Sequence, residues 1–230
     1  MKSRKENYYH PVMELMSQQD REMLTRKFFD FHKNLPPSDN HVFKDDVFLE
    51  GLWRDHFKNI ISLEEIKNEY GQQTAEANAC FARFYRINDF EELREDKELY
   101  QLLSELTKAY GSSYSGEGLA IAFLHTWGKQ NVLARHIDPG NVGKITIPLY
   151  PEYSNYRKLH FYETADYAAQ PEPSHTVDYN EIRSPVLINV SKVHEIADSQ
   201  TDESLCIQLT FTKGYKSARK FLSQKGLLRL

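Results

Sequence analysis

The second half of this chain is cut into short pieces, and that punctuation limits the folds open to it. "GLAIAFLHTW", "NVLARHID", "GKITIPLY", "KLHFYE", "SPVLINVSKVHEI" and "ESLCIQLTFT" are rich in Val, Ile, Leu, Thr and Phe, and Gly, Pro, Asn, Asp and Ser separate them. β-branched and aromatic runs bounded by turn residues read as strands. Several short strands at this spacing predict a sandwich or small barrel. Along a strand, side chains alternate between faces. If Ser204 faces inward, Cys206, Gln208 and Thr210 follow it, and Leu205, Ile207, Leu209 and Phe211 form the layer outside. The polar, proline-bearing stretch "TADYAAQPEPSHTVDYNEIRSP" reads as an insertion loop able to cover the mouth of such a fold.

The first half reads helical. In "PVMELMSQQDREMLTRKFFDFHKNL", Val12, Leu15, Met16, Met23, Leu24, Phe28 and Phe29 recur at helical spacing, with Pro11 suited to a first turn and Ser17 to Glu22 as an interruption. "PPSDN" ends the run. Ser62–Glu65 and Asn88–Glu91 are capping-box patterns; the second leads into a stripe of Leu99, Leu102, Leu103 and Leu106 that stops at Gly111. "ACFARFYRI" is a candidate strand between them, and the basic C-terminal stretch after 215 reads as a surface helix or tail. The division expected is a mainly helical region over 1–112, a β core over 113–215 and a basic tail over 216–230, the first two forming one domain.

Charge excludes little, but it directs attention. A net charge of -4 gives no global attraction to nucleic acid or anionic lipid. No apolar run is long enough to span a membrane, and the basic N-terminus lacks the apolar segment of a secretory signal, so a cytoplasmic location is the default. Cys80 and Cys206 are far apart in apolar surroundings and form no CxxC pair; they read as reduced, buried thiols.

The chemistry concentrates in "RHIDPG", Arg135 to Gly140. On a strand, His136 and Asp138 share a face and Ile137 takes the other. An HxD pair is common by chance and gains meaning from a third ligand. His194, on the later β segment, supplies one. Two imidazoles and a carboxylate on one face of a metal leave coordination positions open for reactants. His10, His32, His41 and His56 lack acidic partners at ligand spacing, while His160 and His175 stand as lesser candidates.

"VLARHIDPGNVGKITIPLYP" followed by "SPVLINVSKVHEI" resembles the double-stranded β-helix, a cupin-type jelly roll, of Fe(II)/2-oxoglutarate-dependent oxygenases, nearest to the aspartyl/asparaginyl β-hydroxylase-like or prolyl-hydroxylase-like branch. The likeness covers roughly residues 118–212. It implies an α+β molecule with a jelly-roll core and a largely helical N-terminal half packed on it. It also implies His136, Asp138 and His194 as iron ligands, 2-oxoglutarate and dioxygen as co-substrates, and hydroxylation of a small molecule or peptide, with an amino-acid side chain, free or in a peptide, as the target that family analogy suggests. The carboxylate at 138 argues against a halogenase, which leaves that position to chloride. The family's arginine beyond the second histidine is missing: Ser204 stands near its place, and no Arg or Lys lies between His194 and Lys213. A buried dicarboxylate needs a cation. Lys144 with Thr146 is the substitute expected, with His125 and Ser204 as further co-substrate contacts. Arg157 and Lys158 are weaker candidates for that anchor, and a solvent-facing edge position is the reading preferred for both. Arg135, Trp127 and Asn189 are candidates for the substrate, with Lys192 beside the distal ligand strand. The tyrosines between 150 and 179 form either an entrance or packed surface. The alternative to an oxygenase is a cupin-like metal-binding protein that is non-catalytic or works without 2-oxoglutarate.

Overall fold

The computed structural model describes residues 7–34, 82–112, 114–115, 118–127, 133–138, 142–164, 169–197, 201 and 203–229; for several of these, His136 and Trp127 included, it describes the backbone only. The expected break at "PPSDN", the capping box at Ser62, and Cys80, His41 and His56 lie outside the described residues.

The molecule is α+β, with two antiparallel sheets facing one another. The larger runs β1 (Tyr9–Pro11), β10 (Val186–Ile188), β7 (Gly143–Tyr150), β12 (Glu203–Phe211), β5 (Ile121–Trp127) and β2 (Ala82–Arg86). The smaller runs β6 (Leu133–His136), β11 (Val193–Ala197), β8 (Lys158–Tyr162) and β9 (His175–Val177). A two-residue pair, β3 (Tyr114–Ser115) with β4 (Gly118–Leu119), stands apart.

Alternation on β12 divides the core as the sequence pattern demands. Leu205, Ile207 and Leu209 join Ile121, Phe123, Ile145 and Ile147 on the outer face of the large sheet. There they meet Leu24 and Phe28 of α1 (Gln18–Lys33), Leu99, Leu103 and Leu106 of α3 (Lys97–Tyr110), and Leu222 of α5 (Tyr215–Gln224). The inner face gives Leu124, Cys206, Val186 and Ile188, which pack against Leu159, Phe161 and Val177 of the small sheet. Each such aliphatic or aromatic side chain contributes roughly 1.5–3 kcal/mol when fully buried.

Several boundaries fall elsewhere than the pattern suggests. Pro11 belongs to β1, and the first helix begins only at Gln18, where the Ser17 hydroxyl accepts from Asp20 N and Asp20 answers as a capping box. A satisfied cap at Ser17 outweighs a proline able to start a turn earlier. Asn88 does not cap: residues Ile87–Asp89 form a 3-10 turn, a short α2 (Glu91–Glu95) follows, and the long helix α3 takes Asp96 as its N-cap. Asp96 also receives Lys27 at 2.7 Å, a tertiary partner invisible from local spacing. "SPVLINVSKVHEI" is two strands in different sheets, β10 and β11, joined by a turn at residues 189–192. The expected insertion loop contains β9 and the short α4 (Tyr179–Ile182), with residues 165–168 outside the description. The N-terminal region is not helical alone, since β1 and β2 form the two edges of the large sheet. No helix among the described residues is long and apolar enough to cross a membrane.

Candidate metal and ligand site

The site forms where the small sheet meets one end of β10. Strands β6 and β11 are antiparallel neighbours, and His136 and His194 are Cα partners in the register. Directly opposed positions of an antiparallel pair share a face. Two residues beyond His136, the Asp138 N–H donates to the Val190 carbonyl at 3.0 Å and fixes the chain there. Asp138 and His194 are buried, 7% and 4% exposed. Asp138 Oδ1 lies 4.0 Å from His194 Nε2. His194 Nδ1 is 2.8 Å from the Lys192 carbonyl. A carbonyl only accepts, so Nδ1 carries a proton, and Nε2 is the nitrogen that faces Asp138. That is the second-sphere arrangement that orients a metal-binding histidine.

Lys144 lines the same cleft as Asp138. Its Nζ is 2.5 Å from Asp138 Oδ2. The reason is positional: Lys144 is the Cα partner of Ile188 on β10, and Asp138 hangs from Val190 just beyond the same strand.

These groups line a cleft between the sheets, open to solvent on one side. Arg157 lines the same cleft and is 1% exposed. Its Nε donates to Thr126 Oγ1 and to Ser204 Oγ, both at 2.7 Å, and those two hydroxyls bond to each other across paired strands. This corrects the expectation of a solvent-facing edge residue. Arg157 shares a face with Leu159 and Phe161, both buried, so the strand period itself turns it inward. Ser204, where the family arginine was expected, instead holds an arginine arriving from another strand.

Tyr156, Tyr179, Leu159 and Ile196 line the cleft, so two of the tyrosines are interior wall. Burial raises the Tyr156 and Tyr179 phenols above their usual range and pushes the Cys206 thiol up to about 12, so all three stay protonated at neutral pH. Thr146 lines the cleft as expected, opposite Gln208 in the register. Gln208 is 7% exposed, and its Oε1 has no hydrogen-bond partner among the described residues. A buried unsatisfied acceptor costs of the order of 1–3 kcal/mol, which a bound donor would recover.

Other expected contacts lie elsewhere. His125 belongs to the opposite face: alternation with Leu124 and Thr126 sends it toward the helices. There it bonds Glu203 Oε1 through Nε2 at 2.7 Å and packs against Phe28, Phe29 and His32. Burial lowers its pKa. Trp127 follows it on the strand, its side chain outside the description. Arg135 lies behind the small sheet, its guanidinium 3.4 Å over the Tyr162 ring and 2.7 Å from the Gln170 carbonyl, with Glu195 at 3.5 Å. Asn189 is a turn residue, donating from Nδ2 to the Asn7 carbonyl at 2.8 Å and accepting from Ser191 N. His160 sits 3.8 Å from Glu195 on that rear face, and His175 packs on Tyr8. Among the described residues no group of three His, Cys, Asp or Glu side chains is placed to hold a metal ion; the His136 side chain is not among them.

No family model matches the chain. No curated protein matches it either. Among solved structures it is similar to AviO1 from Streptomyces viridochromogenes Tue57, at 12% identity over 88% of both chains with a TM-score of 0.40. It is also similar to EvdMO1, at 15% identity over 88% of this chain and 46% of that one, with a TM-score of 0.37.

Proposed function

We propose that this chain is an Fe(II)- and 2-oxoglutarate-dependent dioxygenase with a double-stranded β-helix core, hydroxylating a substrate admitted to the cleft between its sheets. The observation that carries the reading is the meeting of Asp138 Oδ1 and His194 Nε2 at 4.0 Å, both buried, with Nδ1 of the histidine committed to a backbone carbonyl and residue 136 opposite residue 194 in the register. The donor set fits the metal: two neutral imidazoles and one carboxylate suit Fe(II) and leave positions open. Two facing antiparallel sheets, with residues 136 and 194 on adjacent strands of the smaller one and Asp138 just past the first, support the jelly-roll reading.

His136, Asp138 and His194 would hold the iron. When bound, the iron supplies the coupling of dioxygen activation to oxidative decarboxylation of 2-oxoglutarate, giving succinate and carbon dioxide. The far carboxylate of the co-substrate goes to Arg157, whose charge is permanent and whose planar donors match a carboxylate. Thr126 and Ser204 hold the guanidinium by Nε and so fix its plane. Tyr156, Tyr179, Leu159 and Ile196 keep bulk water from the cleft, and their protonated phenols add no charge to it. Lys144 is committed to Asp138, which moves the anchor from β7 to Arg157.

The test is anaerobic addition of Fe(II) and then 2-oxoglutarate, read as a visible metal-to-ligand charge-transfer band, followed by succinate release in air. A band that vanishes in His194→Ala is the expected outcome. Metal binding with no band and no succinate would favour a cupin-like metal protein that works without 2-oxoglutarate; no metal binding overturns the reading.

A further inference from the structure

Lys144 touches a candidate ligand without being one. We propose that it is a positioning residue that makes Asp138 a one-oxygen ligand and so keeps a coordination position open; the inference rests on the metal-site reading above. A carboxylate binds a metal through one oxygen or both. Left alone, its oxygens are equivalent, and a cation can take either one or both. Here they are divided. Oδ2 accepts from the Lys144 ammonium at 2.5 Å, and Oδ1 is the oxygen facing His194 Nε2 at 4.0 Å. The pair is sheltered, with side-chain exposures of 16% for Lys144 and 9% for Asp138, so water screens it little. A charge-assisted hydrogen bond is roughly twice as strong as a neutral one.

The backbone holds the division in place. Lys144 is paired with Ile188 on one side and Thr210 on the other, in the middle of the large sheet. Asp138 is tied by its own N–H to the Val190 carbonyl, two residues beyond Ile188. Both side chains therefore hang from one rigid strand end, about 7 Å apart along it. Rotating the carboxylate to offer both oxygens to a metal would strip the ammonium of this partner in a buried place.

The test loads the full-length protein with Mn(II) and measures water-proton relaxivity per bound ion, which counts the exchangeable waters on the metal. A six-coordinate ion on three protein donors keeps about three waters, and a two-oxygen Asp138 would leave about two. Lys144→Met is therefore expected to lower relaxivity by about a third, and Lys144→Arg, which still donates to Oδ2, to restore it. Wild-type relaxivity in Lys144→Met overturns the proposal and leaves the metal site standing. A wild type that binds no Mn(II) overturns both. If Lys144 serves the co-substrate instead, Lys144→Met weakens 2-oxoglutarate binding with relaxivity unchanged, which also overturns it. Should Lys144→Met fail to fold, wild-type protein carrying isotope-labelled lysine and bound Zn(II) decides by NMR. One ammonium signal, absent from Lys144→Arg, must exchange slowly with water; without it the proposal falls.

Discussion

Arg157 carries a charge at any pH a protein tolerates, so its place in the floor of the cleft has to be accommodated by polar partners or by a ligand. Thr126 and Ser204 provide two hydroxyls for Nε. If the guanidinium also grips the far carboxylate of 2-oxoglutarate, Arg157→Met lowers its affinity by roughly 10–100-fold, in line with the loss of a charge-assisted hydrogen bond of about 1.5–3 kcal/mol. Titration calorimetry with metal-loaded protein checks this, and unchanged affinity would remove Arg157 from the anchor role. Gln208 makes a second case. Gln208→Met replaces an unsatisfied buried acceptor by an apolar side chain of similar length, so the ligand-free protein should gain stability by about 1 kcal/mol in urea melts. A loss of stability would mean that Oε1 is already satisfied. The two residues differ in how far the sequence reveals them. Arg157 was legible from the face it shares with Leu159 and Phe161, but a charged residue before a strand invites the solvent reading. Lys144 on Asp138 was not legible, because the contact depends on where β10 ends, and that is a property of the sheet.

At the scale of elements, the helices are set by their ends more than by their stripes. Asp96 caps α3 by accepting from Leu99 N at 3.0 Å, and it also binds Lys27 of α1 at 2.7 Å. Desolvation opposes that cap, while the backbone donor and Lys27 outweigh it, leaving the carboxyl below its usual range. At the other end Gly111 adopts φ 69, and a Cβ there would meet the Phe221 ring of α5 at 2.2 Å. Gly111→Ala therefore adds about 1 kcal/mol of backbone strain to a steric conflict with a ring packed on the core. The expected cost is about 2 kcal/mol or more, seen as a lower urea midpoint at unchanged slope; a midpoint within error of wild type would show that α5 can shift freely. The leucine stripe and the Gly111 stop were readable, since both are local. The start of α3 was not, because Lys27 helps choose Asp96 over Asn88. The single-segment reading of "SPVLINVSKVHEI" failed for a related reason. Apolar periodicity runs on through the turn at residues 189–192, and only the pairing of β10 with β7 and of β11 with β8 separates the strands.

For the whole molecule, the two sheets enclose groups that hold their protons more tightly than they would in water. The Cys206 thiol is raised from 9.0 to about 12 by burial, and the Tyr156 and Tyr179 phenols are raised by the same cause. In each, the folded state retains a proton that the unfolded chain releases. The sign follows: below about pH 9 both states are protonated at Cys206 and nothing is lost, whereas between 9.0 and about 12 the unfolded state binds fewer protons and stability falls as pH rises. For the thiol alone the slope is about 1.4 kcal/mol per pH unit, and the phenols steepen it once their unfolded forms ionise near pH 10. Urea melts from pH 8 to pH 10.5 should thus show a midpoint that is level at first and then drops. Cys206→Ala removes the thiol's share, so its midpoint should begin to drop nearer the phenol range. A wild-type midpoint that stays level to pH 10.5 would mean that the cleft admits water to these groups, and a cleft that wet could not keep solvent from the chemistry proposed for it.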